Sequence, residues 1–108
     1  MSGDGQDDFE EALRYAGDET RLLDGEDLET GRADDARHWA TVYEELHGFK
    51  LDVLRRAEER GRAVDHDGQP EVHNDLTILQ AEAKRLQKRH DYWRRRREEL
   101  DARHREST

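Results

Sequence analysis

A chain of 108 residues with 44% charged and 31% hydrophobic residues has room for one domain and too little apolar material for a broad globular core. It has no cysteine, which excludes disulfides, thiolate metal sites and thiol nucleophiles together. The formal charge of −9 belongs to residues 1–35, which hold 13 acids and 3 arginines, whereas residues 36–108 hold 15 acids and 16 bases.

No apolar run approaches the length of a signal peptide or membrane span, so the expected location is the cytoplasm. Sixteen arginines stand against three lysines, Lys50, Lys84 and Lys88, an imbalance that reads as the coding bias of a GC-rich genome.

In chain order, residues 1–33 read as an acidic, mostly disordered arm. Residues 1–8 are Gly, Asp and polar. Phe9, Ala12, Leu13 and Ala16 then share one helical face and Gly17 is a natural stop, which permits a short helix over 8–16. Eight or so residues hold no helix without a docking site. From Asp18 to Ala33 the chain is acidic and punctuated by glycine, with Leu22, Leu23 and Leu28 as its sizeable apolar residues, the pattern of a linker with weak sticking points.

Residues 34–108 read as a helical hairpin. Asp34 and Asp35 put negative charge at a helix N-terminus, and helical patterning runs from 34 to a stop at Gly61. Trp39, Val42, Tyr43, Leu46, Phe49, Val53, Leu54 and Ala57 fall on one side of this helix. Residues 62–69 form the loop, with the turn pair Asp67-Gly68, and Pro70 suits the first turn of a second helix over 70–104. In that helix Val72, Leu76, Leu79, Ala83, Leu86, His90, Trp93, Arg97, Leu100 and His104 keep a seven-residue rhythm, the seam of a helix that lies against another.

Two long helices joined by a short loop bury such seams by folding back antiparallel. With the loop centred near residue 66, facing residues have numbers summing to roughly 132 in that geometry. Val53 then faces Leu79, Phe49 Ala83, Leu46 Leu86, Val42 His90, Trp39 Trp93 and Asp35 Arg97. A slip of one heptad would set Trp39 on Leu86. The expected fold class is therefore all-α, an antiparallel two-helix hairpin of coiled-coil type, with a four-helix bundle available through dimerisation. Ala40, His47 and Leu51 widen the apolar arc of the first helix beyond what one facing helix covers. They form a candidate face for a second copy, the short N-terminal helix or another protein.

The run Asp35-Ala36-Arg37-His38-Trp39, with Val42-Tyr43-Glu44-Glu45-Leu46, Phe49-Lys50 and Val53-Leu54, and a second helix carrying Leu79, Glu82, Arg89, Tyr92-Trp93 and Arg96, resembles small uncharacterised actinobacterial two-helix proteins. The resemblance covers residues 35 to about 100. It implies a source and a helical pair, and it lends no function.

Chemistry-bearing patterns are few. Glu44 and His47 have the Glu-x-x-His spacing of di-iron bundles, but no second copy of the motif follows. Asp65, His66, Asp67, His73 and Asp75 gather around the loop without the fixed spacing of a metal loop, and read as a solvated turn. His90 and His104 lie on the seam, where a histidine reflects register more often than a ligand. No nucleophile, phosphate loop or cofactor motif appears, so neither an enzyme nor a cofactor is expected.

The strongest functional feature is basic. Residues 84–97 carry eight bases and one acid. Arg85, Arg89, Tyr92, Arg96 and Arg103 recur at spacings of four, three, four and seven, a candidate stripe for an anionic partner. The expected function is a non-enzymatic helical protein–protein interaction module, a small regulator or adaptor that works as a homodimer or with a helical protein partner and has no membrane role. The alternative is nucleic-acid binding along the stripe, masked by the acidic arm.

Overall fold

The computed structural model describes residues 4–64 and 68–106. The described residues form three helices and no strand: α1 (Asp4–Gly17), α2 (Ala33–Arg62) and α3 (Gln69–Glu106). At 1.5 Å per residue, the 38 residues of α3 span about 57 Å. That helix sets the long dimension of a molecule measuring 64 × 30 × 16 Å. A rod so thin has little interior, and each apolar side chain must be covered from the side.

α2 runs antiparallel to α3. The Trp39 and Trp93 rings stack with centroids 6.5 Å apart, and Lys50 Nζ lies 2.6 Å from a Glu82 carboxylate oxygen. At the loop end a Cβ added to Gly61 would sit 2.7 Å from Val72 Cγ1. The residue numbers of these pairs sum to 132 or 133, the register that sets Trp39 on Trp93. Gly61 stands one residue before the end of α2, next to the stop expected there. It faces Val72 of α3 so closely that a side chain there would push the two apart. The end of α2 is closed by the Ala63 N–H, which donates to the carbonyls of Arg60 and Gly61, and Gln69 Nε2 adds bonds to the carbonyls of Gly61 and Val64.

The buried line of α2 is turned away from the expected one. Ala36, Ala40, Tyr43 and Gly61 are buried, while Leu46 and Phe49, expected against Leu86 and Ala83, are 37% and 65% exposed. Nor does Asp35 supply the expected counter-charge to Arg97, since it accepts a hydrogen bond from Thr30 Oγ1 at 2.7 Å. The cause of the rotation is a third layer made by the N-terminal segment.

α1 is longer than the expected 8–16 helix and packs on α3. Ala16 is buried, and a Cβ on Gly17 would lie 3.8 Å from Ala81 Cβ. Between α1 and α2, residues 18–32 are no loose linker. They form a strap of three successive turns along α3. In the first, Asp18 Oδ1 accepts the Thr20 N–H at 2.9 Å and the Asp18 carbonyl accepts from Arg21 N. In the second, Glu26 N donates to the Leu23 carbonyl, and Gly25 takes the left-handed φ of 82° that the third position of such a turn requires. In the third, Asp27 Oδ1 accepts from Glu29 N and the Asp27 carbonyl from Thr30 N. Aspartate bonds its own following backbone, so a run that looks like solvated charge is locally ordered.

The strap delivers Leu23 and Leu28 to the cluster of Ala36, Ala40, Tyr43, Leu86, Trp93 and Leu100. Two elements facing α3 share the burial, and α2 rotates to present its small residues and Tyr43 between them.

Candidate functional site

Positions 85, 89, 92 and 96 fall on one flank of α3 because steps of four and three keep to one side of a 3.6-residue helix. The strap lies over that flank. Arg89, 7% exposed, donates through Nη2 to the carbonyls of Glu19 and Arg21. Tyr92 donates its hydroxyl to the Leu28 carbonyl. Arg96 Nη2 donates to the Thr30 carbonyl at 2.9 Å. Lys88 forms an ion pair with Glu19. The structure thus brings Arg85, Arg89, Tyr92 and Arg96 together under the strap, and leaves Arg103 exposed beyond its end.

At the centre of the strap the Glu26 side chain is fully buried. Its Oε1 accepts the Tyr43 hydroxyl at 2.5 Å and the Leu23 N–H at 2.9 Å, and its Oε2 accepts the Trp93 indole N–H at 2.8 Å. Arg89 Nη1 stands 3.7 Å from Oε2. One carboxylate therefore ties the strap to α2 and α3 at once, with a guanidinium as counter-charge. Burial pushes the Tyr43 phenol well above its ordinary value, and its bond to Glu26 adds to the shift. At the surface, the Lys88 ammonium holds the Glu19 carboxyl low.

Arg85 is the exception on the flank. It is half-buried and makes no hydrogen bond to the strap and no ion pair with another described residue; its Nε, like that of Arg96, is buried without a hydrogen-bond partner. Burial pulls its pKa below the usual guanidinium value, and the positive charges of Arg21 and Arg89 pull it further down.

The candidate partner face does not form as a unit. Ala40 is 3% exposed and belongs to the core, covered on the side where Leu23 and Leu28 pack. His47 is half-buried, and Leu51 is 46% exposed. The apolar surface of α2 lies on its opposite flank, where exposed Leu46 and Phe49 stand between half-buried Val42 and Val53.

Of the remaining candidates, Glu44 is exposed beside half-buried His47. Asp65, His66 and Asp67 lie outside the described residues. Among the described residues no three metal-type ligands come together, and no helix is long and apolar enough to cross a membrane. Comparison with protein-family models, curated proteins and solved structures finds no match to the chain.

Glu26 is the residue that sequence reading passes over, one acid among thirteen in the first 35 residues. A signal was present: it follows Asp24-Gly25, a strong turn pair, and the turn sits between Leu23 and Leu28.

Proposed function

We propose that this chain is a non-enzymatic helical protein–protein interaction module whose docking strip is Val42, Leu46, Phe49 and Val53 of α2 and whose occupant is the same strip of a second copy. The observation that carries the reading is Phe49, 65% exposed near the middle of α2, with Leu46, 37% exposed, on the same flank. The four positions repeat at steps of four, three and four, the spacing that receives another helix. A strip of this kind is self-complementary about a two-fold axis. A standard interface needs about 800 Å² from each partner, about a tenth of the 7889 Å² surface of this chain. Residues 42–53 of α2 would form the centre of such an interface. Dimerisation across α2 would give a bundle of four long helices with the two straps on its outer sides.

Sedimentation equilibrium tests the reading. The expected mass at tens of micromolar is twice 12.8 kDa, and Phe49→Glu should return it to the monomer, because a carboxylate has no partner in that contact. Phe49 is exposed, so the substitution leaves the fold intact. A monomeric wild-type chain at those concentrations refutes the second-copy occupant.

A further inference from the structure

We propose that the flank of α2 and α3 beneath the strap is a recognition groove for an acidic segment of a partner protein with the spacing Leu-x-Gly-Glu-x-Leu, and that residues 23–28 of this chain are its tethered competitor. Tyr43 of α2 and Trp93 and Arg89 of α3 converge on one carboxylate, that of Glu26. On the chain to either side of it, Leu23 and Leu28 pack against the core cluster around Tyr43 and Trp93. Arg89, Tyr92 and Arg96 then donate to strap carbonyls. Gly25 belongs to the signature because its φ of 82° is left-handed.

Two features set this contact apart from ordinary core packing. Bonds from side chains to backbone carbonyls hold a segment by its path, whatever side chains it carries. The choice of segment then falls to the carboxylate and the two leucines. Secondly, a buried ion pair adds little stability over apolar residues of similar volume, whereas a wrong occupant leaves Arg89 and two buried donors unmatched. Tyr43, Trp93 and Arg89 therefore discriminate between occupants, a property that a permanently filled site does not use.

Charge favours the same class of ligand. Residues 18–32 hold six acids and two arginines, against eight bases and one acid over 84–97. The strap can also leave without breaking a helix. Its residues lie between α1 and α2 and hold one another through local turns. They cover a helix pair already joined by the Trp39–Trp93 stack and the Lys50–Glu82 ion pair. A tethered segment competes at an effective concentration on the order of millimolar, so a partner's segment must match its fit to displace it.

The probe is a fluorescent synthetic peptide of residues 18–32, added to the full chain and to full-length Glu26→Ala, with binding read by anisotropy. Glu26→Ala, whose own strap no longer fills the carboxylate site, should bind the peptide at least about tenfold more tightly than the native chain does. A peptide carrying Glu26→Gln should bind the Glu26→Ala chain about tenfold or more weakly, the loss of one charge-assisted hydrogen bond. A scrambled peptide of the same composition should not bind. In a proton–nitrogen spectrum of Glu26→Ala, saturation with the native peptide should return the Trp93 indole N–H toward its native position. Gly25→Ala strains the turn and removes no contact, since the added Cβ meets open space. It should raise peptide affinity about fivefold, and it keeps the test valid if Glu26→Ala does not fold. Equal affinity for the native and loosened chains, equal binding of the scrambled peptide, or an indole that does not move would overturn the proposal. So would a Phe49→Glu chain at twice 12.8 kDa that Glu26→Ala returns to the monomer, the mark of straps exchanged between copies.

Discussion

Replacing Glu26 with alanine removes the one acceptor shared by the strap, α2 and α3. The Tyr43 hydroxyl and the Trp93 indole N–H lose their partner in a buried site, and Arg89 loses its counter-charge. Hydrogen bonds to a charged group contribute about 1.5–3 kcal/mol each, which puts the gross loss for the two buried donors at about 3–6 kcal/mol. Two terms pull the net value down: the burial cost of the carboxylate disappears, and Arg89 keeps the carbonyls of Glu19 and Arg21. We therefore expect Glu26→Ala to destabilise by about 3–4 kcal/mol, a large part of the roughly 5–15 kcal/mol that holds a domain together. At about 4 °C per kcal/mol for a chain of this size, Tm should fall by about 12–16 °C. Urea unfolding followed by tryptophan fluorescence reads the loss directly. Glu26→Gln keeps the volume and one carbonyl acceptor and should lose about half as much. A cycle with Tyr43→Phe should give a coupling energy of about 1 kcal/mol or more. A Glu26→Ala chain within about 0.5 kcal/mol of native stability, the range of ordinary surface substitutions, would show that the carboxylate does not hold the strap.

Tyr43 makes stability depend on alkaline pH. Its folded pKa is raised, so the folded state holds the proton after the unfolded chain has released it. The stabilisation is complete below the ordinary tyrosine value of about 10 and is lost above it, at up to about 1.4 kcal/mol per pH unit. Tyr43→Phe should flatten that part of the profile, and an identical alkaline slope in the variant would contradict the burial argument. A chain that begins at Asp34 lacks Leu23, Glu26 and Leu28, so it should be less stable to urea than the full chain. If the stripe reads nucleic acid, this truncated chain should also bind a mixed DNA and RNA pool more tightly, with the gain fading as salt brings the Debye length below about 8 Å. Arg89→Glu with Arg96→Glu should abolish the gain, and no gain at low salt would exclude the nucleic-acid reading.

Helix content and register were legible because they rest on periodicity. The rhythm from Val72 to Leu100 could only be a helix seam, and a hairpin centred near residue 66 puts Trp39 on Trp93, whose rings stack at 6.5 Å. The rotation of α2 was not legible, because it depends on a third layer. Read as a pair, the two helices need Phe49 inside, opposite Ala83. Once Leu23 and Leu28 arrive from the strap, Ala40 and Tyr43 turn inward and Phe49 turns out. The surplus apolar arc around Ala40 did announce that something else packs there. It could not say that the covering piece was tethered to the same chain.

The strap escaped notice for a reason that bears on how acidic segments are read. Counting charge, residues 1–35 at a net −10 and the basic run at 84–97 suggest a loose electrostatic attraction between side chains. The contacts are of another kind. Arg89, Tyr92 and Arg96 bond the backbone carbonyls of Glu19, Arg21, Leu28 and Thr30, while Asp18 and Asp27 spend their carboxylates on turns that aim those carbonyls at α3. Carbonyls carry no net charge, so screening by salt weakens these bonds far less than it weakens an exposed ion pair. The fixed order of turns also makes the fit directional, which a string of carboxylates would not be. Of the acids in the strap, Glu26 alone enters the core, where its charge is matched by Arg89 and its oxygens by three donors. Scrambling the residues of 18–32 would preserve net charge and hydropathy and still lose the strap, because the turn at Gly25 and the position of Glu26 three residues after Leu23 would be gone.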